Sequence, residues 1–216
     1  MSALPPTPAP QLRVHLHLDD LQPQFAAYLG TPTRARGYPP YAGQHALIVE
    51  VAPGLAIERV TSLALRAGDG TVEPGILFVE RQFGVLEVHG DDPEQLQAAG
   101  EAILEGIGAD PADRLTPTVL YHDIIEDVAD QHAVIINRNR QASMIMPGDS
   151  LLVLEMVPAL FAALAANEAE KAAPDVTLVD VSMIGAAGRI YLAGEPASLE
   201  RARNAIGEAF EQVVAP

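Results

Sequence analysis

The chain has no cysteine among its 216 residues, which removes disulfides, thiolate nucleophiles and sulfur-ligated metals together and fits a reducing home. Basic residues are scarce: 13 Lys and Arg stand against 29 Asp and Glu, a formal charge of −16. A nucleic-acid binder needs a basic stripe to neutralise phosphates, and none is visible. There is no G-x-S-x-G elbow and no H-E-x-x-H helix, so neither a nucleophile nor a metal centre emerges, and no cofactor or metal is expected. Residues 1–11 carry Pro and Ala but no positive segment leading into an apolar run; they read as a loose tail and not a signal peptide. The one stretch that resembles a membrane span, Leu151 to Ala166, is interrupted by Glu155 and divided by Pro158. It reads as a buried strand entering a helix, and no membrane partner is expected.

What is present is a repeat. Apolar residues make up 49% of the chain, enough for a core, and the length suits two domains of about 100 residues. The segment Ala46-Leu47-Ile48-Val49-Glu50-Val51-Ala52-Pro53 returns as Leu151-Leu152-Val153-Leu154-Glu155-Met156-Val157-Pro158, with Glu155 lying 105 positions after Glu50. Arg66-Ala67 answers Lys171-Ala172, and Gly84 to Gly90 answers Gly188 to Gly194. Pro93 and Leu96 correspond to Pro196 and Leu199, each opening a helix. The unit is too long for a solenoid repeat and long enough to be a domain.

Each copy predicts strand, helix, strand, hairpin strand and helix, preceded by an extra strand and helix. Pro53 to Ala67 places Leu55, Val60, Leu63 and Ala64 near helical spacing, with Pro in the first turn. Ile76 to Val79 and Val85 to Val88 read as strands parted by a turn ending in Gly84. Thr118 to Tyr121 reads as a strand leading into Ile124 to Ala133. The copies divide near Ala109 to Thr116, giving a tail over 1–11, a first domain over 12–112 and a second over 113–216. The expected fold class is α/β, of the α+β, ferredoxin-like kind.

Several blocks in order carry a resemblance: Leu21-Gln22-Pro23-Gln24, Val49 to Gly54, Val79-Glu80-Arg81-Gln82-Phe83-Gly84, Ile135-Ile136-Asn137-Arg138 and Leu164 to Ala173. Together they resemble the tandem-domain (BMC-T), circularly permuted shell proteins of bacterial microcompartments, over about Leu12 to Val213. The resemblance implies two such domains per chain and a homotrimer that forms a pseudohexagonal tile. It further implies edge contacts with other shell proteins in a bacterial facet, stacking of two trimers in some members, and a central pore that opens and closes. Two similar domains do give a trimer six quasi-equivalent positions, although two or four chains use up the repeat equally well.

Under that resemblance Glu80 and Arg81 line the threefold pore, with Gln82, Phe83 and Gly84 completing the segment. Three like charges about 6 Å apart at an effective dielectric near 20 repel by about 3 kcal/mol per pair, and interleaving the opposite charge offsets this. The plain alternative is a surface ion pair worth about 0–1 kcal/mol. Ile184, Gly185 and Ala186 hold the matching place in the second copy, as an uncharged pore loop or simply a tight hairpin turn. Lys171 resembles the lysine that packs against a neighbouring tile, and Arg66 is its counterpart; each also suits a helix C-terminus through the macrodipole. His15 and His17 share a strand face but lack an obvious third ligand and read as ordinary strand histidines. Glu168 and Glu170 read as solvated helix residues.

The leading function is a non-enzymatic shell trimer that passes metabolites. The runner-up is a small-molecule-binding regulatory module, because ferredoxin-like repeats often form sensors at subunit interfaces. A third reading is an enzyme assembled from histidines of different chains.

Overall fold

The protein is described by a computed structural model covering residues 7–31 and 37–214, with the Glu80 side chain also outside the description. The first half runs β1 (Gln11–Leu18), α1 (Pro23–Leu29), β2 (His45–Ala52), α2 (Ile57–Ala67), β3 (Glu73–Glu80), β4 (Phe83–Gly90) and α3 (Pro93–Ile107). The second runs β5 (Thr118–Ile125), α4 (Asp130–Asn139), β6 (Ser150–Val157), α5 (Phe161–Ala172), β7 (Thr177–Ser182), β8 (Gly188–Gly194) and α6 (Pro196–Val214). Each half builds one antiparallel four-stranded sheet, ordered β1-β2-β4-β3 and β5-β6-β8-β7. The expected tail begins among residues outside the description, and β1 starts at Gln11.

The repeat holds at the level of single residues. Glu50 pairs with Val14 and Val85, and Glu155 pairs with Tyr121 and Arg189. One register shift falls between Leu12 and Val14, and its twin falls between Val119 and Tyr121, setting Arg13 and Leu120 in matching bulges. Both strands that precede a proline end in a cis bond, Ala52-Pro53 and Val157-Pro158. Gly84 and Gly188 are glycine for the same reason: a Cβ on either would stand 2.2 Å from a carbonyl oxygen, that of Gly54 or of Ala159. That is a close backbone crossing inside a strand, and not the turn-forming freedom expected of Gly84.

Three boundaries differ from expectation. A short 3₁₀ turn, Gly54–Ala56, separates Pro53 from α2, and it leaves Leu55 exposed while Val60 and Ala64 stay buried. β3 and β4 extend to Glu80 and Phe83, so only Arg81 and Gln82 form the turn. β5 continues through Ile124 and Ile125, whose branched side chains favour a strand, and α4 begins at Asp130. At α3 the local signals agree with the result: the Asp92 carboxylate accepts from Glu94 N–H, Pro93 opens the helix, and Gly108 closes it at φ 69°. No helix among the described residues is long and apolar enough to cross a membrane.

The two halves share one core. Leu16, Leu18, Phe25, Tyr28 and Leu29 of the first half pack in one apolar cluster with Leu160 to Ala166 of the second. α5 is buried on nearly every side, which its run of small apolar residues permits, whereas α2 buries only Ile57, Val60, Thr61 and Ala64.

Candidate functional site

The residues singled out as pore-forming lie on two hairpins. Glu80 closes β3 opposite Phe83, and Arg81 and Gln82 form the two-residue turn between them. Arg81 takes φ 54°, a left-handed conformation that two-residue hairpins need and that costs a non-glycine residue about 1 kcal/mol or more. In the second half Ile184, Gly185 and Ala186 lie in the longer β7–β8 connection, with Gly185 at φ 126°. Phe83, Gly185 and Ala186 line one cavity of about 340 Å³ together with Arg13, Glu50 and Thr116. The fold therefore brings the two hairpins to one end of the molecule, 102 positions apart in sequence at Phe83 and Gly185.

Arg13, which the sequence did not flag, anchors the first hairpin. Its guanidinium lies 3.8 Å from the centre of the Phe83 ring, and its Nε donates to Glu50 Oε1 at 2.7 Å. Burial pushes the Glu50 carboxyl up from its ordinary value, opposed by the hydrogen bond and charge of Arg13. In the second half Glu155 finds its cation across the sheet instead, with Arg189 Nε donating at 2.8 Å. Arg13→Leu strands a buried carboxylate and is expected to cost about 3 kcal/mol in urea unfolding at neutral pH, most of it recovered in the Arg13→Leu/Glu50→Leu pair. A loss under 1 kcal/mol contradicts the anchoring role.

The joint between the halves is polar as well as apolar. Glu170 is 4% exposed and accepts from the backbone N–H groups of Gln24 and Phe25 in the first turn of α1. Asn167 Oδ1 accepts from Gln22 N–H at 2.9 Å. The Gln24 side chain donates to Val176 O and accepts from Leu178 N–H, both at 2.8 Å, and Tyr28 Oη donates to Val181 O. Glu170 is thus a buried cross-domain cap and not the solvated residue expected. The signal that could have found it is α5 itself: a helix that is apolar all round implies that any carboxylate within it is paired. Lys171 also faces the joint, its Nζ donating to Asp19 O at 3.0 Å with the side chain 38% exposed; Arg66 is exposed on α2.

His15 and His17 lie on the helix-facing side of β1 with ring centres 5.1 Å apart. The register gives His15 a counterpart: it pairs with Val49 as His122 pairs with Leu154. Among the described residues no group of three or more His, Cys, Asp or Glu stands close enough to hold a metal. Burial, then the charge of His17, lowers the His15 pKa to about 4 from the usual 6.5. The unfolded chain takes up this proton first as the pH falls. The stability tied to His15 is therefore complete above pH 6.5 and is lost on acidification through pH 4, by about 3 kcal/mol in total. His15→Gln is expected to flatten the unfolding free energy over that window; an unchanged slope contradicts it.

The chain is thus two α/β halves of one topology, joined through an apolar cluster with their hairpins at one end, and the comparisons give this architecture its class. Residues 12–113 match the family described as the CsoS1D N-terminal domain. The chain is 42% identical over 204 residues to the carboxysome shell protein CsoS1D of Prochlorococcus marinus, covering 94% of this chain and 78% of that one. It is 39% identical to the carboxysome shell protein CcmP of Synechococcus elongatus, covering 94% and 93%. Among solved structures it resembles the double-ringed trimeric shell protein MSM0271 of the RMM microcompartment, with 62% identity, TM-score 0.89 and coverage of 94% and 97%. It also resembles the fused permuted hexameric shell protein MSM0275 of the same microcompartment, with 48% identity, TM-score 0.90 and coverage of 95% and 99%. The protein is thus a tandem-domain shell protein of the bacterial microcompartment class. Within that class the chain belongs to the permuted CsoS1D/CcmP family, and its role is structural, in the shell. The sensor reading finds no support in these relatives.

Proposed function

We propose that three copies of this chain close into a ring of six like domains, which tiles a bacterial microcompartment facet and passes metabolites through a hole on its axis. The observation that carries this reading is an internal duplicate left bare. Val14 and Tyr28 of the first half are 0% and 1% exposed beneath the second half, while Tyr121 and Ile135, their counterparts, are 56% and 59% exposed. A surface repeated in sequence and covered only once invites the same cover from another copy, and a rotation that closes gives a ring. The axis is assigned to the Glu80-Arg81 hairpin and the Ile184-Gly185-Ala186 connection, one charged and one small. Exchange of Glu80 and Arg81 about the axis is the proposed gate. The role is taken to be non-catalytic, with passage and not turnover as the function, and the site of action is the shell inside the bacterial cytoplasm.

Two further assignments belong to the same reading. Lys171, more than a third exposed beyond its bond to Asp19, meets the neighbouring tile, with Arg66 in the equivalent place. Two trimers stack face to face in this reading, which a relative described as a double-ringed trimer supports. The gate is tested by Glu80→Ala, which is expected to hold the hole open in an electron-microscopy reconstruction. A closed hole unchanged from the parent protein overturns the gate. Discrete small oligomers in place of rings and sheets overturn the wall.

A further inference from the structure

The stem of the first hairpin is held on both faces of its sheet, and the stem of the second on only one. Side chains alternate along β4, so the Gly84 position looks toward α2 and Phe83 looks the other way. On the α2 side the 3₁₀ corner crosses the stem. A Cβ on Gly84 would stand 2.2 Å from Gly54 O, and a Cβ on Gly54 would stand 2.9 Å from Phe83 O and 2.8 Å from Val79 Cγ1. At such separations neither strand of the hairpin has room to move toward the corner. On the opposite face the Arg13 guanidinium lies 3.8 Å from the centre of the Phe83 ring. Arg13 is tied at two further points. Its Nε donates to the buried Glu50 carboxylate, and its carbonyl accepts from Leu115 N–H at 2.9 Å, in the segment between the halves. The bulge between Leu12 and Val14 releases Arg13 from the alternation of β1, which is how it reaches a ring two strands away.

The second half keeps the first clamp and lacks the other. A Cβ on Gly188 would stand the same 2.2 Å from Ala159 O. The register that matches Gly84 with Gly188 puts Ala187 in the place of Phe83, and the matching bulge puts Leu120 in the place of Arg13. Neither supplies a ring or a cation, and Glu155 draws its cation from Arg189 on β8 instead. The contact of Arg13, Glu50 and Phe83 is therefore not a requirement of the fold, because its twin is built without it.

We infer that Arg13 is a positioning residue for the proposed gate, a role that rests on the gate reading and adds to it the part that stays still. With the Gly54 corner on the other face, Arg13 fixes the β3–β4 stem as far as Phe83. Opening and closing in the first half are then confined to the Arg81-Gln82 turn and to side chains. A guanidinium over a ring suits this task, because it locates the stem without a hydrogen bond to the turn itself.

Because the chain has no cysteine, Gln82→Cys takes a single nitroxide label at the turn. In sparsely labelled protein the parent spectrum is expected to be dominated by a held component. Phe83→Leu keeps the Arg13–Glu50 pair and removes the ring, whereas Arg13→Leu/Glu50→Leu removes the pair and leaves no buried charge. Each is expected to raise the ratio of mobile to held component about tenfold, the scale of one partly desolvated cation–ring contact, while Arg13→Lys keeps the parent spectrum. A role confined to neutralising Glu50 predicts no change in Phe83→Leu. A spectrum already mobile in the parent, or unchanged in Phe83→Leu, overturns the anchor. Full labelling tests the gate reading separately, since turns that share an axis show dipolar coupling between chains. Release by both variants without that coupling leaves the anchor standing and takes the hairpin off the axis. Coupling without release keeps the axis and removes the anchor.

Discussion

Ile135→Asp is expected to leave a folded monomer and no ring. Ile135 is 59% exposed in the isolated chain, so the substitution removes no core contact within it. In the proposed assembly it forfeits the burial of an Ile side chain, about 2 kcal/mol, and requires a carboxylate to be desolvated beneath the covering copy, which costs several kcal/mol more. A closed trimer makes three such contacts, so the loss is multiplied around the ring and subunit dissociation moves by several orders of magnitude. Size-exclusion chromatography with light scattering reads the result directly: mass falling to that of the 22.9 kDa chain, with an unchanged far-ultraviolet dichroism spectrum. A trimer that survives Ile135→Asp at micromolar concentration rules out this face as the joint.

The second large effect is inside the chain. Glu170→Ala leaves the N–H groups of Gln24 and Phe25 without their acceptor at a buried site. Each orphaned donor costs about 1–3 kcal/mol, so the variant is expected to lose about 3–5 kcal/mol, a large share of the 5–15 kcal/mol a domain commonly has. Glu170→Gln keeps one acceptor oxygen and turns an amide toward the same donors, so it falls between parent and Ala. Hydrogen exchange locates the damage: protection is lost first in α1 and then along α5, while α2 and α3, whose buried residues form a separate cluster within the first half, keep theirs. Equal loss of protection in α2 and α3 contradicts a role confined to the joint.

How far the sequence reached depended on how local each cause is. The Glu50/Glu155 echo, the prolines behind both glutamates and the N-cap at Asp92 are short-range signals, and they located strands, helices and repeat. Gly84 was legible as special but for the wrong reason, because what forbids a side chain there is the Gly54 carbonyl crossing over it, 30 positions away. Ile124 was misread into a helix because an apolar pair beside a helical pattern carries no period of its own. Arg13 and Glu170 were missed because their partners are 37 and about 145 positions distant, and nothing in a lone Arg or Glu announces burial. The candidate hairpins were found through the family resemblance and not through the dipeptide Glu80-Arg81, which alone is indistinguishable from a surface ion pair.

The most direct measurement is a cryo-electron microscopy reconstruction of the purified protein without imposed symmetry. Three chains about one axis, with Arg81 and Gly185 the nearest residues to it and α4 covered by the next chain, are what the account requires. Hairpins at the periphery, or α4 facing solvent in every chain, contradict it.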